Sequence, residues 1–172
     1  MIGIIRKIFN GLGKVEEILL TALFALAFLI ILAQAVSRYV FNDPIIWTDE
    51  VSVTLQMLIG FLGIGYGIRT KTHIKVDTIY QKFPRKLQLV ISFLFSLMFI
   101  IAAVIMVKYG IKYAVTNWNI NFGTFKFGKG KTFLALPIGY GLAIAYSILD
   151  MTDEVLEFIG RKPVFELGKE KV

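Results

Sequence analysis

Four long apolar runs, separated by short polar stretches, organise this chain. Residues 18–36 and 87–107 continue for 19 and 21 positions without a charge. Residues 51–68 and 132–149 do so for 18 positions each. At about 1.5 Å rise per residue every run covers roughly 27–32 Å as a helix, the hydrocarbon thickness of a bilayer. The pattern predicts an all-α integral membrane protein with four transmembrane helices. The second and fourth runs are less greasy, carrying Ser52, Thr54, Gln56 and Gly60 in one and Pro137 and Gly139 in the other.

Boundaries follow from the runs. Residues 18–149 form the membrane domain, with spans at about 18–36, 51–68, 87–107 and 132–149, followed by a C-terminal tail at 150–172. In the N-terminal segment 1–17, Ile4, Ile5, Ile8, Phe9 and Leu12 recur at helical spacing, with Arg6, Lys7 and Lys14 elsewhere. That pattern suits a short amphipathic helix lying on the membrane surface, and equally the start of the first span. Ala33-Gln34-Ala35 has the form of a signal-peptidase site. The uncharged run is longer than a usual signal core and its 17-residue preamble is long, so the run is expected to be kept as a span.

Composition agrees. At 56% hydrophobic and 14% aromatic, 172 residues hold more apolar surface than a soluble domain of that size can hide. The lack of cysteine excludes a disulfide framework and a thiolate metal site. The single histidine, His73, excludes a bis-His haem and a His-rich metal site. The net charge of +7 fits loops beside anionic lipid better than a nucleic-acid partner. Thirteen Lys and Arg residues lie in the N-terminal segment, the middle loop and the tail, against six in the other two loops. The positive-inside rule then puts both termini in the cytoplasm.

The polar stretches hold the candidate chemistry. Asn42-Asp43-Pro44 is a turn signal. Thr48 is expected to cap the second span, with Asp49 and Glu50 in its first turn, where the helix dipole favours them by up to about 1 kcal/mol. Trp47 falls at the headgroup boundary. Arg38, Asp49 and Glu50 share that interface and can pair within the chain or with a neighbouring subunit. Gly60, Gly63 and Gly67 leave a flat face on the second span; Gly139-xxx-Ala143 and Gly141-xxx-Ala145 do so on the fourth. Such small-residue faces serve packing within the chain or against a partner. Gln34 and Gln56 are expected to make interhelical hydrogen bonds, and Phe93, Phe95 and Phe99 to face lipid or, failing that, a partner. His73 and Asp77 would share a helical face, while Lys75, Lys82, Arg85 and Lys86 meet lipid phosphates. In loop 108–131, Trp118, Ile120, Phe122, Phe125 and Phe127 interleave with Asn, Gly and Lys. They suit an aromatic belt, or a hairpin about Phe122-Gly123-Thr124, with lysines free to meet an acidic protein surface.

The order of these motifs resembles a known family. Arg38-Tyr-Val-Phe, Pro44-x-x-Trp47-x-x-Glu50, Gly60-Phe-Leu-Gly63, Arg69-Thr-Lys-Thr-His73-Ile-Lys-Val-Asp77 and Leu136-Pro137-Ile-Gly139 follow one another. Together they look like the DctQ-like small membrane subunit of TRAP transporters, over residues 30–150. Loop 108–131 departs from the family's usual Pro-containing segment. The resemblance implies a non-enzymatic subunit of the bacterial inner membrane without a cofactor of its own, sodium binding being expected on the large subunit. Implied partners are that large membrane subunit, a periplasmic solute-binding protein and lipid. The implied solute is an organic anion, a C4-dicarboxylate or a sugar acid such as sialic acid. On this reading Arg38, Trp47, Asp49, Glu50, Gly60, Gly63, Gly67, His73, Asp77, Pro137 and Gly139 become subunit-interface or structural positions. No internal repeat and no Asp or Glu occurs in the four runs, which suits bracing rather than conduction. An autonomous homodimeric exporter is the alternative, and it calls for an essential acid inside a span.

Overall fold

A computed structural model describes residues 2–70, 83–121, 123 and 128–165, with side chains from residue 7 onward. Its elements are helices α1 (Ile2–Tyr39), α2 (Ile46–Arg69), α3 (Arg85–Thr116), the short α4 (Lys129–Phe133) and α5 (Ala135–Phe158). Among the described residues four stretches are long and apolar enough to cross a membrane: Lys7–Tyr39, Ile46–Arg69, Arg85–Thr116 and Lys129–Phe158. The N-terminal segment is no separate helix; it runs unbroken into the first span as part of the 38-residue α1.

The helices outlast the apolar runs that signalled them. Helix α3 continues to Thr116, carrying Lys108 and Lys112, and α5 continues to Phe158, carrying Asp150, Asp153 and Glu154. Lys108 and Lys112 can carry their charge to the interface on long stems without breaking the backbone ladder, whereas Asp150, Asp153 and Glu154 are buried. Pro137 sits in the first turn of α5, where its missing N–H costs nothing. Just before it the chain is broken into the five-residue α4. At the α1–α2 turn Asn42 takes the left-handed conformation with φ 50°, which Asn tolerates well.

The spans form a row rather than a closed bundle. Helix α1 packs on α2, α2 on α5, and α5 on α3, while α4 is wedged against α3. Consequently α1 and α3 are edge helices. Along α1 from Phe9 to Gln34 the less exposed positions are Phe9, Gly13, Glu16, Leu20, Leu23, Ala27, Ile30 and Gln34, at alternating steps of four and three. That is the single seam of a two-helix contact. The α2–α5 contact is the closest: a Cβ on Gly139 would collide with the backbone carbonyl of Phe61. Ala143 and Tyr146 on the same side of α5 are fully buried, with Ile68 of α2 beside them. On α3, Gly110 admits Leu136 and Pro137 of α5, a Cβ there falling 2.5 Å from the Leu136 side chain.

Much of the apolar surface points outward, as expected when lipid is the solvent. Phe24 and Met98 are both 66% exposed. The aromatics of α3 divide. Phe95 faces out, whereas Phe99 turns inward and stacks on Tyr140 of α5, centroids 6.5 Å apart, correcting the expectation that it meets lipid.

Candidate functional site

Charged groups gather at the two ends of the helix row, leaving the middle uncharged. Toward the end where α1 begins and α5 finishes, Glu16 and Glu17 of α1, Arg69 of α2 and Tyr146 of α5 converge. Tyr146 donates to Glu16 Oε2 at 3.3 Å, and Arg69 Nη2 lies 3.4 Å from Glu17 Oε2. Glycines make the room. A Cβ on Gly13 would strike the Arg69 guanidinium, and one on Gly65 would sit 2.6 Å from Glu16 Oε1. The guanidinium also lies 5.4 Å from the ring centre of Tyr66, and Phe9 meets Tyr146 edge-on at 5.7 Å. Glu16 is 6% exposed. A carboxylate so enclosed persists only with cationic and hydrogen-bonding neighbours, and the cluster supplies both.

Two further contacts close this end. Arg85 of α3 grips Glu157 of α5 bidentately, Nε to Oε1 at 2.7 Å and Nη2 to Oε2 at 2.8 Å. The backbone N–H groups of Val164 and Phe165 donate to Asp153 Oδ1 at 2.7 and 3.0 Å. The chain after α5 is thereby folded back, with Phe165 packed beside Ile68, Ala143 and Tyr146.

At the opposite end, Gln34 of α1 donates to Asp49 Oδ1 of α2, the interhelical contact expected of Gln34. Glu50 lies against the long loop between α3 and α4, its Oε1 being 2.8 Å from where a Cβ of Gly123 would stand. That loop doubles back: Asn121 and Gly128 form an antiparallel bridge, and Lys129 N–H donates to Ile120 O at 2.7 Å. Thr48 is not the cap of α2. The helix starts after the extended Ile45, and the buried Thr48 hydroxyl, two residues inside the helix, donates to Ile45 O at 2.5 Å. The turn set by Pro44 ends early enough for Ile46 to open the helix. Asp49 remains in the first turn. Arg38 is exposed and joins no ion pair among the described residues, so it pairs with neither Asp49 nor Glu50 there; Trp47 is half exposed.

The glycines expected to form one face do two different things. Gly67 is buried, whereas a Cβ on Gly60 or Gly63 would meet nothing within 4 Å. Between Glu50 and Arg69 only Val53, Gln56 and Gly60 of α2 are exposed, in line with Gly63. Gln56 makes no hydrogen bond among the described residues, against the expectation of an interhelical bond. Gly139 and Pro137 lie where α5 meets α2 and α3. Likewise Gly141 is open while Gly139 is covered. His73 and Asp77, with Lys75 and Lys82, lie outside the described residues. Among the described residues no three His, Cys, Asp or Glu side chains are grouped to hold a metal.

Sequence reasoning passed over Gly13, Glu16, Gly65 and Tyr146. The seam spacing on α1, which places Glu16 and Gln34 in register with Leu20, Leu23 and Ala27, is the signal that finds two of the polar contacts. Tyr146 stands 130 positions from Glu16, and nothing local to it marks the contact.

These features define a multi-span helical membrane protein whose polar side chains fasten its own ends and whose central helix keeps an open stripe. Residues 27–156 match the family described as tripartite ATP-independent periplasmic transporters, DctQ component, and the chain belongs to it. It is a transporter component, not an enzyme. The sialic acid TRAP transporter small permease protein SiaQ of Vibrio cholerae is 28% identical over 78% of this chain and 76% of its own length. The ectoine TRAP transporter small permease protein TeaB of Halomonas elongata is 33% identical over 55% of this chain and 51% of its own. The sialic acid TRAP transporter permease protein SiaT of Haemophilus influenzae is 31% identical over 59% of this chain. This chain spans 16% of SiaT and about half of TeaB.

Proposed function

We propose that this chain braces the large permease subunit of a TRAP-type secondary transporter during sodium-coupled uptake of an organic anion. A periplasmic binding protein delivers the solute, and sodium binds on the large subunit. One observation carries this reading: within the apolar cores of the four spans no side chain is ionised, the acids being confined to the ends of the row. A chain that moved an anion and a cation itself would need charged or ion-coordinating groups at mid-depth. The relatives' names mention sialic acid, ectoine and C4-dicarboxylate, which supports the view that the small subunit does not choose the solute. Orientation rests on charge. With thirteen of nineteen Lys and Arg residues on the side of the termini, that side is cytoplasmic and the long outer loop periplasmic in the bacterial inner membrane.

The test is co-expression of the tagged chain with the large permease gene beside it, followed by purification and uptake measured in vesicles. The reading expects recovery of a stable two-chain complex and uptake that needs both chains and the binding protein. Uptake by the large chain alone, at the rate of the complex, would remove the bracing role.

A further inference from the structure

The open stripe of α2 is poorly suited to lipid. Val53, Gln56, Gly60 and Gly63 follow at steps of three, four and three, so they share one line along the helix. Beside Gly63 the surface sinks into a groove between α1 and α2, walled by Leu20, Phe24, Ile59 and Tyr66 and ending near Glu17. Gln56 lies ten residues into the 24-residue α2, about 15 Å along it, well inside the hydrocarbon. An amide facing lipid there has no partner for its two donors and its acceptor, and that desolvation is costly. Glycines facing lipid offer neither bulk nor a backbone shield. Against another helix the same three residues suit a close approach, with an amide free to bond across it.

We infer that this stripe and groove seat a transmembrane helix of the large permease subunit, one that presents small residues and a hydrogen-bonding side chain opposite Gln56. The inference rests on the function proposed above. The occupant follows from SiaT, a permease polypeptide of which the region like this chain makes up 16%: there such a region and the rest of the permease share one chain.

The test uses the chain co-expressed with its large subunit in native membranes. Gly63→Leu and Gln56→Leu are compared with wild type for large subunit recovered per tagged small chain, and a photo-crosslinking residue is placed at Val53. Recovery is expected to fall at least tenfold for Gly63→Leu and several-fold for Gln56→Leu. Both variants alone should still fold, because Gln56 is exposed and a Cβ on Gly63 would meet nothing within 4 Å. The Val53 crosslink is expected to join the large subunit. Undiminished recovery of both variants, or a Val53 crosslink only to lipid or to a second copy of the chain, overturns the inference while leaving the bracing role standing. A wild-type chain that recovers no large subunit overturns the bracing role itself.

Discussion

The outward sides of α1 and α2 border the same bilayer and are built in opposite ways. On α1 the exposed line is Phe28, Leu29 and Leu32, bulky side chains that acyl tails solvate well. On α2 it is Val53, Gln56 and Gly60. In water the apolar line would be the one calling for cover; in lipid that logic reverses, and polarity and smallness mark the surface awaiting protein. The inward sides carry the same lesson. The α1 seam sets Gly13, Glu16 and Gln34 among Phe9, Leu20, Leu23 and Ile30, and the α2–α5 contact turns on Gly139, so small and polar residues work beside large apolar ones in holding the helices together.

Substitutions can break or sharpen that contrast. The largest effect is expected from Gly139→Leu, which forces the backbones of α2 and α5 apart; it should cost about 3 kcal/mol or more and abolish the monodisperse peak in detergent chromatography. Next is Arg69→Met, which leaves the enclosed Glu16 without its cation. A loss of about 2–3 kcal/mol is expected in denaturant unfolding, and adding Glu16→Gln should recover more than half of it. Asp153→Asn weakens two backbone hydrogen bonds holding residues 164 and 165, worth about 1 kcal/mol; limited trypsin digestion should then cut faster at Arg161. Smallest is Phe28→Leu on the lipid side of α1. Stability should stay within about 0.5 kcal/mol and large-subunit recovery should not change. A Phe28 variant that lost the large subunit as Gln56→Leu does would erase the distinction between the two sides.

The fold was legible to the degree that charge and apolarity report depth. All four spans could be read from runs without Asp, Glu, Lys or Arg, and the order of the motifs around Trp47, Gly63 and Pro137 pointed to the family. Helix ends were not legible, because Lys108, Lys112, Asp150 and Asp153 end an apolar run without ending a helix. Direction along a span was legible only in part. Gly60, Gly63 and Gly67 look equivalent in spacing, yet Gly67 is covered and the other two are open. What decides this is the placement of α5 beside α2, a contact made by residues some 80 positions away in sequence. The cluster at Glu16, Arg69 and Tyr146 escaped for the same reason, since its members come from three spans and only the seam spacing of α1 hinted at one of them.

The most direct test of the account is solute accumulation in liposomes holding this chain alone, compared with liposomes holding it together with the large subunit, each supplied with the binding protein and a sodium gradient. Uptake should occur only in the second set, the small chain alone matching empty vesicles. Accumulation by vesicles that contain only this chain would contradict the claim that it supports another polypeptide's transport.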